Sequence, residues 1–137
     1  MQEVLRRVAP AAFEATPVLF AFLFGSNATG RERNSSDIDV AVYVDDDARA
    51  DHVSQSLELA GRLADVSGLP RVEVVVMNDA PLPLLGSVLR DRIVIFSRDE
   101  TARVRFEATT RSLAMDFDIH ARRLDRELLA RTADGSR

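Results

Sequence analysis

The stretch Phe24–Val44, FGSNATGRERNSSDIDVAVYV, carries the strongest signals for the fold and for a functional site. The apolar run Val18–Phe24 ends at Gly25-Ser26, a polar loop follows, and the chain returns to a β-branched segment through Ser36-Asp37-Ile38-Asp39. Residues two apart on a strand point to the same face, so the two aspartates share one face. A small glycine turn suits a phosphate and paired carboxylates suit a cation, so the stretch predicts a site for a metal–nucleotide complex.

Length and composition predict a single globular domain, with 137 residues of which 46% are hydrophobic and 29% charged. The net charge of −4 argues against general nucleic-acid binding, and no direct nucleic-acid contact is expected. The absence of cysteine excludes disulfides, thiolate catalysis and cysteine-ligated zinc. The N-terminal segment lacks the apolar core of a signal peptide, and the longest apolar run is too short to span a bilayer. We therefore expect a cytoplasmic protein without membrane contact.

Hydrophobic periodicity predicts the element order α-β-β-α-β-α-β-α, a small mixed sheet flanked by helices and thus an α/β fold of the α+β type. The segment Val18–Phe24 is apolar on both faces, which is typical of a central strand. The predicted helices cover residues 3–15, 48–66, 82–89 and 98–131, and the predicted strands cover 18–24, 37–44, 71–77 and 92–96.

Helix signals give further local predictions. Asp46 or Asp47 is expected to cap the second helix, which Gly68 and Pro70 would end. Its apolar row is predicted as Val53, Leu57, Ala60 and Ala64. Ser97 and Glu100 have the spacing of a capping box before the long last helix, in which apolar residues recur in sevens and fours at Phe106, Leu113, Phe117, Leu124 and Leu128.

The carboxylates are the strongest chemical signal. Asp37 and Asp39 are like charges on one face, which favours a cation between them over burial without one, although solvation at a sheet edge is the alternative. Glu73 interrupts the apolar strand RVEVVVM and could face the same pocket if that strand lies beside the second one. The alternative for Glu73 is an exposed residue paired with Arg71. Three carboxylates could hold two divalent ions for an in-line displacement at phosphorus.

Other motifs have simpler interpretations. Gly25 to Gly30 has the glycine spacing of a P-loop, but Arg31 follows where that motif needs lysine, so a P-loop is rejected. Gly25-Ser26 could equally be an ordinary turn after a strand. His52 and His120 are interpreted as surface or capping residues, and Tyr43 as a residue that packs or lines the pocket.

The combined motif resembles the nucleotidyltransferase superfamily that includes DNA polymerase beta, and more closely its minimal nucleotidyltransferase (MNT) domains. It consists of Gly-Ser, ten further residues, Asp-x-Asp and a later acidic residue on a strand. The positions that match are Gly25, Ser26, Ala28, Gly30, Ser36, Asp37, Ile38, Asp39 and Val42. The sequence departs from the family at Thr29, where arginine is frequent, and at Glu73, where aspartate is common. The resemblance implies one MNT domain over residues 1–137, with a core of about 18–97 and a C-terminal helix of about 98–131.

The resemblance also implies site residues and cofactors. Asp37, Asp39 and Glu73 would be catalytic and would hold two Mg²⁺ ions. The residues implied to bind the phosphates of the substrate ATP are Gly25, Ser26, Arg31, Arg33 and Ser36.

Many MNT proteins are antitoxins that transfer AMP from ATP to a tyrosine of a partner HEPN-domain ribonuclease toxin, and the resemblance implies this function here. Two alternatives stay open: an inactive MNT module that neutralises its partner by contact, and an enzyme that acts on a small-molecule alcohol.

Overall fold

The computed structural model describes residues 1–25, 37–45 and 51–133, with side chains described as far as residue 131. The predicted element order is confirmed over these ranges. The elements are α1 (Gln2–Phe13), β1 (Val18–Phe24), β2 (Ile38–Val44), α2 (His52–Ser67), β3 (Val72–Val76), α3 (Leu82–Asp91), β4 (Ile93–Ser97) and α4 (Glu100–Ala133).

The four strands form one mixed sheet in the order β3-β2-β1-β4. β1 is antiparallel to both β2 and β4, whereas β2 and β3 are parallel and are connected through α2. The central position predicted for β1 is confirmed, since Val18 and the run Phe20–Leu23 are fully buried. An apolar run of this kind is stable only where helices cover both faces of the strand.

The two faces of the sheet have separate cores. On one face, Ile38, Val40, Val42 and Val44 of β2 pack with residues of α1 and α2. On the other face, Ala41 and Tyr43 pack with α3 and with Phe106 of α4. The predicted alternation along β2 is therefore confirmed, and it assigns Asp39 to the face that α3 and α4 partly cover.

The cap predicted for α2 was wrong. The helix begins at His52, and Asp51 is its cap, with a carboxylate that accepts from the Val53 backbone N–H at 3.0 Å. Asp46 and Asp47 lie outside the described residues. The predicted end is confirmed: Gly68 has φ of 70°, and its N–H donates to the carbonyl of Ala64.

The buried face predicted for α2 was also wrong at its N-terminal end. Val53 and Leu57 are 68% and 70% exposed, whereas Leu59 and Leu63 are buried against the first core. The helix carries two apolar rows, and contact with α1 and β3 selects the row with two leucines. Burial contributes about 0.8 kcal/mol per methylene, so leucines stabilise this contact more than alanines would.

The cap predicted for α4 needs the same kind of correction. Ser97 is the last residue of β4, and the Asp99 carboxylate accepts from the Ala102 backbone N–H at 3.0 Å. Glu100 pairs with Arg103 instead of reaching back to a cap.

Only the first part of α4 packs on the body of the domain. Phe106 joins the second core, and Glu107 and Thr110 are buried. From Arg111 to Arg131 every residue is exposed except Ala114 and Ala121, which are half-buried. Neither this 34-residue helix nor any other helix in the described ranges is long and apolar enough to cross a membrane.

Candidate active site

Three chain segments meet at one end of the sheet. β1 ends at Phe24, which pairs with Asp39 near the start of β2. On its other side Asp39 pairs with Glu73, near the start of β3. The prediction that β3 lies beside β2, with Glu73 on the face of Asp39, is confirmed, because partners in register in a sheet point to the same side. Gly25 follows directly after β1 at the same end.

The carboxyl groups at this end are electrostatically coupled. Burial raises the pKa of Asp39 most, and the negative charges of Glu73 and Asp37 raise it further. A hydrogen bond with the Glu73 side chain acts in the same direction. Each of these effects disfavours the ionised form of Asp39, so a cation at this point would be favourable.

Gly25 is fixed by two independent constraints. Its φ of 79° is in the left-handed region, which side chains disfavour. A Cβ atom built on it would lie 2.8 Å from Oδ2 of Asp39. The turn therefore brings backbone directly against the Asp39 carboxylate, and only glycine leaves that carboxylate where it is.

The donor set suits a hard cation. In the described part of the chain no three histidine, aspartate or glutamate side chains, Asp37, Asp39 and Glu73 included, are grouped so that they could hold a metal ion. Asp39 and Glu73 are in contact, and Asp37 adds a third negative charge. Magnesium is usually held by one or two carboxylates, with phosphate and water as the other ligands. These side chains therefore fit magnesium that arrives with a nucleotide.

Ser26, Arg31, Arg33 and Ser36, expected at the phosphates, lie outside the described residues.

A cavity of about 520 Å³ between β2 and α4 was missed from the sequence, apart from the suggestion that Tyr43 could line a pocket. Tyr43 stacks on Phe20 with ring centroids 5.1 Å apart and contacts Phe106. Arg105 and Thr109 of α4 complete much of the wall. The cavity joins residues about 60 positions apart, so no local pattern could have indicated it.

A family comparison decides the assignment. The model of the family described as Polymerase beta, Nucleotidyltransferase matches residues 8–101, more than half of the chain. The chain belongs to this nucleotidyltransferase family. The matched range holds every element of the candidate site, from Gly25 through Asp37 and Asp39 to Glu73. No curated protein matches the chain at the level of sequence.

Solved structures show the same nucleotidyltransferase fold. The chain is similar to one in a complex of a tri-AMPylated Shewanella oneidensis HEPN toxin with an MNT antitoxin, with 20% identity, a TM-score of 0.68, and coverage of 94% of this chain and 99% of that one. The chain is also similar to one in an MntA–HepT toxin–antitoxin complex, with 20% identity, a TM-score of 0.67, and coverage of 94% of this chain and 99% of that one. A chain in a toxin–antitoxin complex with AMP-PNP is similar with 18% identity, a TM-score of 0.65, and coverage of 96% of this chain and 98% of that one.

Gly25→Ala is expected to lower nucleotidyl transfer by about 10- to 100-fold, because the new methyl group must displace the Asp39 carboxylate and a misplacement near 1 Å costs that much. Gly68→Ala is the matched control. Gly68 also has a positive φ, but a Cβ atom built on it would meet nothing within 4 Å. Both variants should lose about 1 kcal/mol of stability. Steady-state transfer rates and thermal melts check this, and equal loss of activity in both variants would contradict the role of Gly25.

Proposed function

We propose that this nucleotidyltransferase is an antitoxin that transfers AMP from ATP to a tyrosine hydroxyl of a cognate HEPN ribonuclease toxin. Family membership supports the transferase chemistry. Similar chains come from complexes of an MNT antitoxin with an AMPylated HEPN toxin and of a toxin–antitoxin pair with an ATP analogue. A cytoplasmic location, where ATP and magnesium are present, belongs to this proposal.

The observation that carries the proposal is the contact of Asp39 with Glu73 beside Gly25. It joins two strands and a tight turn at one end of the sheet, where burial and then the neighbouring carboxyl groups raise the pKa of Asp39. A purely structural role would not favour these two contacting carboxyl groups, because the negative charge of the exposed Glu73 disfavours the ionised form of the half-buried Asp39. A site for a positively charged complex does favour them.

Asp37, Asp39 and Glu73 are proposed to hold magnesium ions together with the phosphates of ATP. When bound, two such ions neutralise charge on the attacking and leaving oxygens of a displacement at phosphorus. Asp39 would be the central ligand, since it lies between Glu73 and the turn at Gly25. Asp37 is exposed at the start of β2 and would approach from the solvent side.

Glu73 is also proposed to accept the proton of the acceptor hydroxyl. The tyrosine oxygen then bonds to the α-phosphorus of ATP, the bond from that phosphorus to the bridging oxygen breaks, and pyrophosphate leaves. Glu73 is exposed, so an acceptor from a second protein can reach it. Ser26, Arg31, Arg33 and Ser36 are proposed to bind the phosphates.

Co-expression with the candidate toxin tests the biological part of the proposal. The toxin is sought in the adjoining reading frame as a small helical protein with a HEPN-type arginine–histidine motif. We expect wild-type protein to restore growth and the double variant Asp37→Ala, Asp39→Ala to fail while still accumulating in the cell. Rescue by the double variant would instead show neutralisation by contact alone.

A further inference from the structure

A row of apolar side chains on α4 is exposed beyond the point where the helix leaves the sheet. Leu113, Phe117, Leu124 and Leu128 are 51%, 49%, 46% and 58% exposed. Their spacing of four, seven and four residues places them on one face of the helix, and we call them the α4 row.

The α4 row continues the face that packs on the domain. Phe106, seven residues before Leu113, packs against Phe20 and Tyr43 on that face. α3 meets α4 at Ala114, whose Cβ lies 3.2 Å from a Cβ built on Gly86, and Phe117 of the row lines the cavity between the two helices. The row therefore begins beside α3 and continues, at Leu124 and Leu128, past the residues that line the cavity with α3.

We propose that the α4 row is the contact surface for α4 of a second copy of this chain, packed antiparallel about a two-fold axis. The spacing is symmetric about a point between His120 and Ala121. A two-fold axis at that point sets Leu113 against Leu128 and Phe117 against Leu124, twice each. The surface is thus self-complementary, as a two-fold interface requires.

The charges of this segment permit self-association. Residues 111–131 hold five arginines, three aspartates and one glutamate, so two copies carry little net charge to repel each other. On one flank of the row, Asp116 of one copy lies about two residues, or ~3 Å along the axis, from both Arg123 and Glu127 of the other, whose charges offset each other. On the other flank Asp118 approaches Asp125, and Arg122 offsets this through its 3.0 Å contact with Asp118.

The size of the row sets the strength of the dimer. Four half-exposed side chains per copy make a contact at the low end of specific interfaces, below about 1,200 Å² in total. The dimer is therefore expected to be in reversible, concentration-dependent exchange with the monomer. It does not depend on the proposed transferase activity.

Sedimentation equilibrium of the purified chain tests the dimer. We expect the mean mass to rise from monomer to dimer with concentration, and Leu124→Asp to weaken association at least about tenfold, because its carboxylate would be buried unpaired. Leu129→Asp is the matched control, since Leu129 is 68% exposed on another side of the same helix. It should leave association unchanged.

Single cysteines test the antiparallel geometry, because the chain has no cysteine of its own. His120→Cys lies beside the axis, offset from its copy by one residue, and should form covalent dimers with a short bis-maleimide. Leu128→Cys is about 22 Å along the axis from its copy and should not. A monomer at all concentrations, equal weakening by Leu124→Asp and Leu129→Asp, or efficient cross-linking of Leu128→Cys would overturn the proposal. The proposal would also be overturned if the wild type formed no dimer and the Leu124→Asp variant lost its complex with the HEPN toxin, because the α4 row would then bind only the toxin.

Discussion

Asn in place of Asp39 is expected to abolish AMP transfer, with a rate at least about 1,000-fold below that of the wild type. The substitution keeps the shape of the side chain but removes the charge that would hold the cation between Glu73 and the Gly25 turn. Transfer of label from ATP to the acceptor protein, measured under single-turnover conditions, gives the rate. Asp65→Asn, an exposed aspartate on α2, is the control and should leave transfer unchanged.

The same Asp39→Asn variant is expected to be more stable than the wild type at neutral pH without magnesium, by about 1 kcal/mol. The pKa of Asp39 is raised in the fold, so its ionised form opposes folding as the pH rises through that pKa. The gain should therefore disappear at acidic pH, where Asp39 is protonated. Thermal melts across pH check this, and a less stable variant at neutral pH would show that Asp39 is structural.

Glu107→Gln is expected to destabilise the fold by about 3 kcal/mol at neutral pH, since it removes the charge between two arginines. Glu107 is 6% exposed, and its carboxylate lies 2.6 Å from Arg92 Nη2 and 2.5 Å from Arg103 Nη1. Burial alone would raise the pKa of Glu107, but the hydrogen bonds and charges of Arg92 and Arg103 outweigh it and lower the pKa.

The direction of that pKa shift sets the pH dependence. A lowered pKa stabilises the fold above the unfolded value of about 4.3, and this contribution is lost as the pH falls through the folded value. The difference between wild type and Glu107→Gln should therefore shrink below about pH 4. Glu58→Gln is the control, because Glu58 pairs with Arg62 at 3.4 Å on the surface and should contribute under about 0.5 kcal/mol. A constant difference at all pH values would contradict the ion-pair role.

The element order could be predicted from the sequence, and so could a shared face for Asp39 and Glu73 on the condition that β3 lies beside β2. Continuous apolar runs, period-two alternation and glycine stops are local signals, and each belongs to one element. Glu73 could be singled out because a charge interrupts the apolar run RVEVVVM, although the residue is exposed on the edge strand β3. Such an interruption points to a site when the neighbouring strand carries charges as well.

Other features depend on packing and could not be predicted. α2 has two apolar rows, and only contact with α1 and β3 shows that Leu59 and Leu63 are buried while Val53 and Leu57 are exposed. The caps Asp51 and Asp99 could not be chosen from the sequence, because Asp46, Asp47 and Ser97 lie nearby and can also cap a helix. The pairing of Arg92 with Glu107 joins two elements, and its residues show no shared pattern in the chain.

The most direct test of the central claim is the intact mass of the HEPN toxin after incubation with this chain, ATP and magnesium. We predict that wild-type protein raises the toxin mass by whole AMP units, that the modified residue is a tyrosine, and that Asp39→Asn leaves the mass unchanged. An unchanged mass with the wild type, or the same increase with Asp39→Asn, would contradict AMP transfer at the Asp37, Asp39 and Glu73 site.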